Sequence, residues 1–189
     1  ISLSGDKDFD ARTRMMESKS PPHKALIVNV HSSDNAGDLA LLEQTIAYLE
    51  MAYGNLEVSV CSNWPDENTL VALKKTILPS PWRLLGVWNR QKKPRFQVLS
   101  FLAALLYLLI YQVCLRLHLP AWVPREWSQL FDAYRSCDIV VAVSGNQLFS
   151  HGKFGWPLPV VGMPIFLGLV FHKPVLVFPQ SVGPFRYRW

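Results

Sequence analysis

An apolar run in the middle of this 189-residue chain limits its folding more than any other feature. Residues 98–115 are apolar apart from Ser100 and Gln112, close to the ~20 residues that cross a bilayer. Arg90, Lys92, Lys93 and Arg95 precede the run and Arg116 follows it, with Trp82, Trp88, Trp122 and Trp127 nearby. Basic flanks and interfacial Trp suit membrane association. A single crossing conflicts with the surroundings. Strand patterns lie both before and after the run, and one crossing would put the halves of one parallel sheet on opposite sides. The run is therefore either monotopic or buried in a core or oligomer contact. Ser100, Ala104, Tyr107, Tyr111, Cys114 and His118 form one stripe at helical spacing. That stripe is expected to rest on the protein, which leaves the Leu-rich remainder for lipid.

The flanking patterns define the fold class. Lys24 through Val30 read as a buried strand, and a polar loop follows. A helix of about sixteen residues comes next, with Leu39, Leu42, Ile46 and Leu49 on one face and Gly54 as a left-handed cap. Residues 56–61 alternate with period two and read as a second strand. Residues 138–144, apolar from Ile139 to Val143, are fit for a central parallel strand, and a loop is expected from Gly145 to Phe149. Residues 159–171 read as an apolar helix interrupted at Pro164, and residues 173–179 as one more buried strand running into a loop from Gln180 to Pro184. Strand and helix alternate, so the expected class is α/β, a Rossmann-like doubly wound parallel sheet. Residues 1–22 read as a polar, poorly ordered leader, and residues 23–189 as one domain.

Composition excludes several classes. An apolar content of 50% with 12% aromatics is too high for a disordered chain. The three cysteines are too few and too scattered for a disulfide framework, so a reducing compartment is the default. The histidines show no metal-ligand spacing, and no metal is expected. The net charge of +5 is unevenly placed: between Glu67 and Glu126 there is no acidic residue. A basic, acid-free interval wants an anionic partner. Because it encloses the apolar run, lipid fits it better than nucleic acid, and no nucleic-acid partner is expected.

Three strand-end segments carry candidate chemistry. Asn35, Gly37 and Asp38 open the first helix, where backbone N–H groups favour anions and Asn35 or Asp38 can cap. Capping alone would explain them. If a ligand binds, a sugar hydroxyl suits Asp38 better than a phosphate, which its charge would repel. Ser144, Gly145 and Asn146 follow the central strand, where α/β sheets bind ligands; they offer a hydroxyl, open backbone and an amide. Gln180, Ser181 and Gly183 follow the last strand, with Arg186 and Arg188 beyond them as cations for a carboxylate or phosphate.

In this order and strand context, the three segments resemble the polysaccharide pyruvyl transferase family. The pattern is N-x-G-D at Asn35–Asp38, an Asp-led apolar strand into a Gly-containing loop from Asp138 to Asn146, and Q-S-x-G-P from Gln180 to Pro184. The family often has two glycines in the second loop, where this chain has Gly145 and Asn146. The resemblance implies the N-terminal half of a GT-B-like two-domain fold, with the C-terminal domain outside this chain. It implies transfer of pyruvate from phosphoenolpyruvate to sugar hydroxyls as a ketal. Phosphoenolpyruvate would be the donor substrate, with no cofactor, and the acceptor a lipid-linked glycan precursor. Asp38 is then the candidate for holding or activating the hydroxyl, and the location is cytoplasmic, peripheral on the membrane face. A membrane-associated glycosyltransferase using a nucleotide sugar is the alternative.

Overall fold

The computed structural model describes residues 23–30, 35–86, 94–143, 145–150 and 158–185. The leader expected over residues 1–22 lies outside them. In chain order the elements are β1 (Lys24–Val30), α1 (Ala36–Tyr53), β2 (Glu57–Ser62), α2 (Asn68–Ala72), β3 (Thr76–Pro79), α3 (Pro81–Leu85), α4 (Pro94–Arg116), α5 (Arg125–Ser136), β4 (Ile139–Ala142), β5 (Gly145–Ser150), α6 (Leu158–Val170), β6 (Val175–Val177) and β7 (Gln180–Phe185).

Five strands form one parallel sheet in the order β3-β2-β1-β4-β6. The expected α/β class with a Rossmann-like parallel sheet is what forms. The order reverses between β1 and β4, so the topological switch point lies there. Side chains alternate across the sheet and build two cores. Leu26, Val28, Val140 and Ala142 pack with α3, α4, α5 and α6 on one face. Ala25, Ile27, Ile139 and Val141 pack with α1 and α2 on the other.

One residue breaks the alternation. Val30 belongs by parity with Leu26 and Val28, yet it packs in the second core. Asn29 between them adopts φ 64°. The β1–β2 register slips at the same point, from Ile27 opposite Val60 to Val30 opposite Ser62. The extra residue is a bulge, and it turns the carboxyl end of β1 before the first candidate segment. Asn tolerates this left-handed conformation better than most residues.

Several expectations need correction. Gly145–Ser150 and Gln180–Phe185 are strands, not loops, and they pair in parallel as a second sheet. Their Gly, Ser, Asn, Gln and Pro content argues against strand. They pair because they leave β4 and β6, which are already neighbours, and the backbone ladder continues between them. Helix α6 runs through Pro164 without interruption. The Tyr134 hydroxyl on α5 donates to the Pro164 carbonyl at 2.9 Å and so ties this stretch of α6 down. Gly54 ends α1 at positive φ, but with ψ −119° rather than in the left-handed helical well. The short strand β3 and helices α2, α3 and α5 go beyond the elements read from the sequence.

Helix α4 is partly as expected. Ala104, Tyr111 and Cys114 are buried, and Tyr107 packs at the core margin. His118 leaves the stripe: the helix ends at Arg116, and His118 sits exposed at φ 55°. Leu108 takes an inward place instead. Trp82 and Trp127 are core residues rather than interfacial ones, while Trp122 is 81% exposed. Trp88 lies outside the described residues.

Candidate functional site

In a parallel sheet every carboxyl end falls on one edge, and that edge gathers the candidate segments. The segment of Asn35 to Asp38 follows β1. Gly145 and Asn146 begin β5, which follows β4, and Gln180, Ser181 and Gly183 lie in β7, which follows β6. β1, β4 and β6 are adjacent, at ~4.8 Å per strand, and Gly145 stands directly opposite Gln180. The three segments therefore converge across the switch point. Ser144, Arg186 and Arg188 lie outside the described residues.

The head of α1 shows the chemistry in detail. Asn35 is the N-cap: its Oδ1 accepts the Gly37 N–H at 3.1 Å. Its Nδ2 donates to Asp38 Oδ2 at 3.3 Å. One amide side chain thus caps the helix and orients the carboxylate. Asp38 sits in the first turn, where the helix dipole favours negative charge. Its Oδ1 has no hydrogen-bond partner among the described residues. Gly37 is not demanded by the fold: a Cβ there would meet only Asn35 Oδ1, at 3.4 Å. Glycine costs helix stability, and here it leaves the backbone at the helix start open to approach.

The same edge holds a cleft missed by sequence reasoning. A cavity of about 470 Å³ is lined by Asn63, Trp64, Pro79, Arg83, Leu84, Gly86 and Glu126, at the ends of β2 and β3. Asn63 is buried and takes a hydrogen bond from the Ser80 hydroxyl. Ser80 in turn caps α3 by accepting the Arg83 N–H at 3.3 Å. The Arg83 guanidinium lies 5.9 Å from the Trp64 ring centre and pairs with Asp66 at 2.9 Å. The cleft thus combines a 39% exposed indole with a cation, a carboxylate and a buried amide. The available signal was the run Ser62, Asn63 and Trp64, polar and aromatic, just past a predicted strand end.

Two other hollows, of about 510 and 450 Å³, lie by Gly54 and Glu57 and by Lys24 and Ser136. They open on the amino-terminal edge, away from the candidate segments. Asp138 is also on that edge and is structural. Its Oδ2 accepts the N–H groups of His23 and Lys24, each at 2.9 Å, fastening β4 to the start of β1. Desolvation opposes its ionisation, but these two amides and the Lys173 ammonium outweigh it and hold the carboxyl below its usual range.

The thiols offer no nucleophile. All three cysteines are free and buried. Burial first, and the nearby Asp138 charge second, push Cys137 up to about 11 against the pull of Lys173. Burial pushes Cys61 higher still. Both are thiols, not thiolates, at neutral pH. Among the described residues no His, Cys, Asp and Glu cluster could hold a metal ion.

The parallel sheet, its switch point and the polar segments beside it define a ligand-binding α/β domain of the Rossmann-like kind. A family model, polysaccharide pyruvyl transferase, matches residues 35–189. The chain belongs to that family, whose members are transferases with a polysaccharide acceptor. No curated protein and no solved structure matches it.

Proposed function

We propose that this chain transfers pyruvate from phosphoenolpyruvate to two hydroxyls of a glycan precursor, forming a ketal and releasing phosphate. The observation that carries the reading is the convergence of the Asn35–Asp38, Gly145–Asn146 and Gln180–Gly183 segments on adjacent strand ends at the switch point, in a chain of this family.

The reaction has definite requirements. A proton adds to C3 of the enol while a sugar oxygen attacks C2 and loses its own proton. The second hydroxyl then adds to C2 as the C–O bond to phosphate breaks, and its proton leaves with the departing phosphate. Asp38, held by Asn35 with one oxygen unpartnered among the described residues, orients the attacking hydroxyl and takes its proton. The open backbone at Gly37 admits the substrate. Arg186 and Arg188 neutralise the donor's carboxylate and phosphate. The acceptor chain runs from the end of β1 over the ends of β2 and β3, about 10 Å at the usual strand spacing. There it reaches the Trp64 cleft, where the indole offers a flat apolar face and Glu126 and Arg83 offer polar partners. This sheet serves as one Rossmann-like half of a GT-B-like cleft, with the general acid on the facing half. The reaction is cytoplasmic, and the glycan is lipid-linked.

The test is to incubate the full-length gene product, carrying both halves of the cleft, with phosphoenolpyruvate and a lipid-linked glycan fraction, following phosphate release and acceptor mass. Acceptor-dependent phosphate release with a mass gain of one ketal-linked pyruvate is expected. Phosphate release without that gain, or consumption of a nucleotide sugar instead, would overturn the reading.

A further inference from the structure

Helix α4 carries an apolar face that the described fold leaves uncovered. Leu99, Leu102, Leu106, Leu109 and Val113 recur at intervals of three and four, so they share one side of the helix. Their exposures run from 46 to 61%, and Leu117 just past the helix end is 61% exposed. The stripe is about 27 Å long at the helical rise. The opposite side packs on the core through Ala104, Leu108 and Tyr111, and Cys114 on the same side is buried. Only 22% of the apolar window Leu99–Arg116 is buried, far less than a core helix would show.

The helix does not span a membrane. β1, β2 and β3 precede it, β4 and β6 follow it, and all five share one sheet. Both its ends therefore lie on the same side of any bilayer. Its inner face is fastened to the domain, since the Tyr111 hydroxyl donates to Asp132 at 2.6 Å and the Tyr111 and Phe131 rings lie 5.1 Å apart. Only an arrangement in the plane of a surface exposes the stripe to lipid.

Charge selects the occupant. The sequence from residue 68 to 125 has no acidic residue; Arg90, Lys92, Lys93 and Arg95 precede the stripe and Arg116 ends it. Basic groups at both ends disfavour pairing with a second copy, parallel or antiparallel, because like charges would meet. They suit anionic headgroups. The exposed Leu119 and Trp122, which follow the helix, add apolar and interfacial side chains.

We propose that this face of α4 docks on an anionic bilayer, lying in the interface plane with Leu99 to Leu117 in the acyl boundary. The docked orientation has a consequence for the site. Tyr107 lies 6.2 Å from Trp127, and Tyr111 pairs with Phe131, so α4 and α5 run parallel and in step. α5 begins at Arg125, and Glu126 lines the carboxyl-edge cleft. The first turns of α4 therefore reach about 15 Å past the start of α5, on the side of that edge. Docking brings the cleft to the headgroups, within reach of a lipid-linked acceptor. This consequence rests on the transferase reading, whereas the docking itself does not.

The experiment is co-sedimentation with phosphatidylcholine vesicles, with and without phosphatidylglycerol, in the absence of donor and acceptor. The protein is expected to pellet with the mixed vesicles and to bind neutral ones about tenfold more weakly. Leu102→Gln with Leu109→Gln should weaken binding by at least about tenfold, with circular dichroism and thermal midpoint unchanged. If that double variant misfolds, the single Leu106→Gln variant provides the same comparison. A protein that stays in the supernatant overturns the proposal, as does a folded double variant that pellets like the wild type. So does a wild-type dimer that the double variant converts to monomer without any vesicle binding, which would assign the face to a second copy. Vesicle binding without transfer activity would overturn only the transferase reading.

Discussion

Asn35 joins the helix cap to the carboxylate that the proposed reaction uses at the head of α1. Its carbonyl oxygen caps the helix while its amide nitrogen holds Asp38. Asn35→Ala should cost about 1 kcal/mol in denaturant unfolding and also lower kcat, because Asp38 loses its orientation. Gly37 separates the two effects. Nothing in the fold needs a glycine there, so Gly37→Ala should leave stability unchanged or raise it by up to about 1 kcal/mol. On the proposed function the added methyl would stand where substrate approaches, and KM should rise. If Gly37→Ala instead destabilises without touching KM, Gly37 belongs to the fold alone. These residues were legible in the sequence, because capping chemistry is local. Trp64 and Asn63 were not, because their importance depends on α3 and the start of α5, which complete the cleft from distant parts of the chain.

At the scale of elements, α6 approaches the sheet closely at Gly168. A Cβ there would fall 2.9 Å from Val175 Cγ2 and 3.3 Å from Val140 Cγ2. Gly168→Ala should therefore destabilise by roughly 1–3 kcal/mol, even though alanine is the better helix former. The thermal midpoint measures this, and an unchanged midpoint would mean that the helix slides freely over β6. The strands β5 and β7 show why element type was misread. Their residues favour turns locally, but the parallel pairing inherited from β4 and β6 satisfies their backbone groups. No window of sequence contains that pairing. The bulge at Asn29 was hidden for a similar reason: Val30 changes face through a single positive φ inside an otherwise regular strand.

For the whole molecule, the junction of the two halves of the sheet is the point to perturb. β1 pairs with β2 on one side and β4 on the other, and Asp138 fastens that second junction at its amino end. Its carboxyl is held below the usual range in the fold. It therefore contributes stability above the ordinary carboxylate pKa of about 3.9, and this is lost as pH falls through the depressed folded value. Asp138→Asn should be less stable than wild type at neutral pH, and the gap should close in acid below pH ~4. Urea melts at several pH values would show it. A pH-independent gap would place the effect in packing rather than charge. Because both halves share the sheet, tryptophan fluorescence and circular dichroism should report one coincident unfolding transition.

The sequence by itself determined the α/β class, the limits of most long elements, a helix cap at Asn35 or Asp38 and the order of the three polar segments. These follow from short-range causes: hydrophobic period, turn chemistry and local hydrogen bonding. It also determined that the apolar run does not cross a bilayer, since strand patterns lie on both sides of it. Tertiary structure decided the rest. It brought the polar segments to adjacent strand ends, placed Asp138 on the opposite edge as a fastening, and sent Trp82 and Trp127 inward. It also chose which side of α4 remains exposed. That choice lay beyond sequence because the helix is apolar nearly all round, and only the shape of the surface it packs on selects the face that stays uncovered.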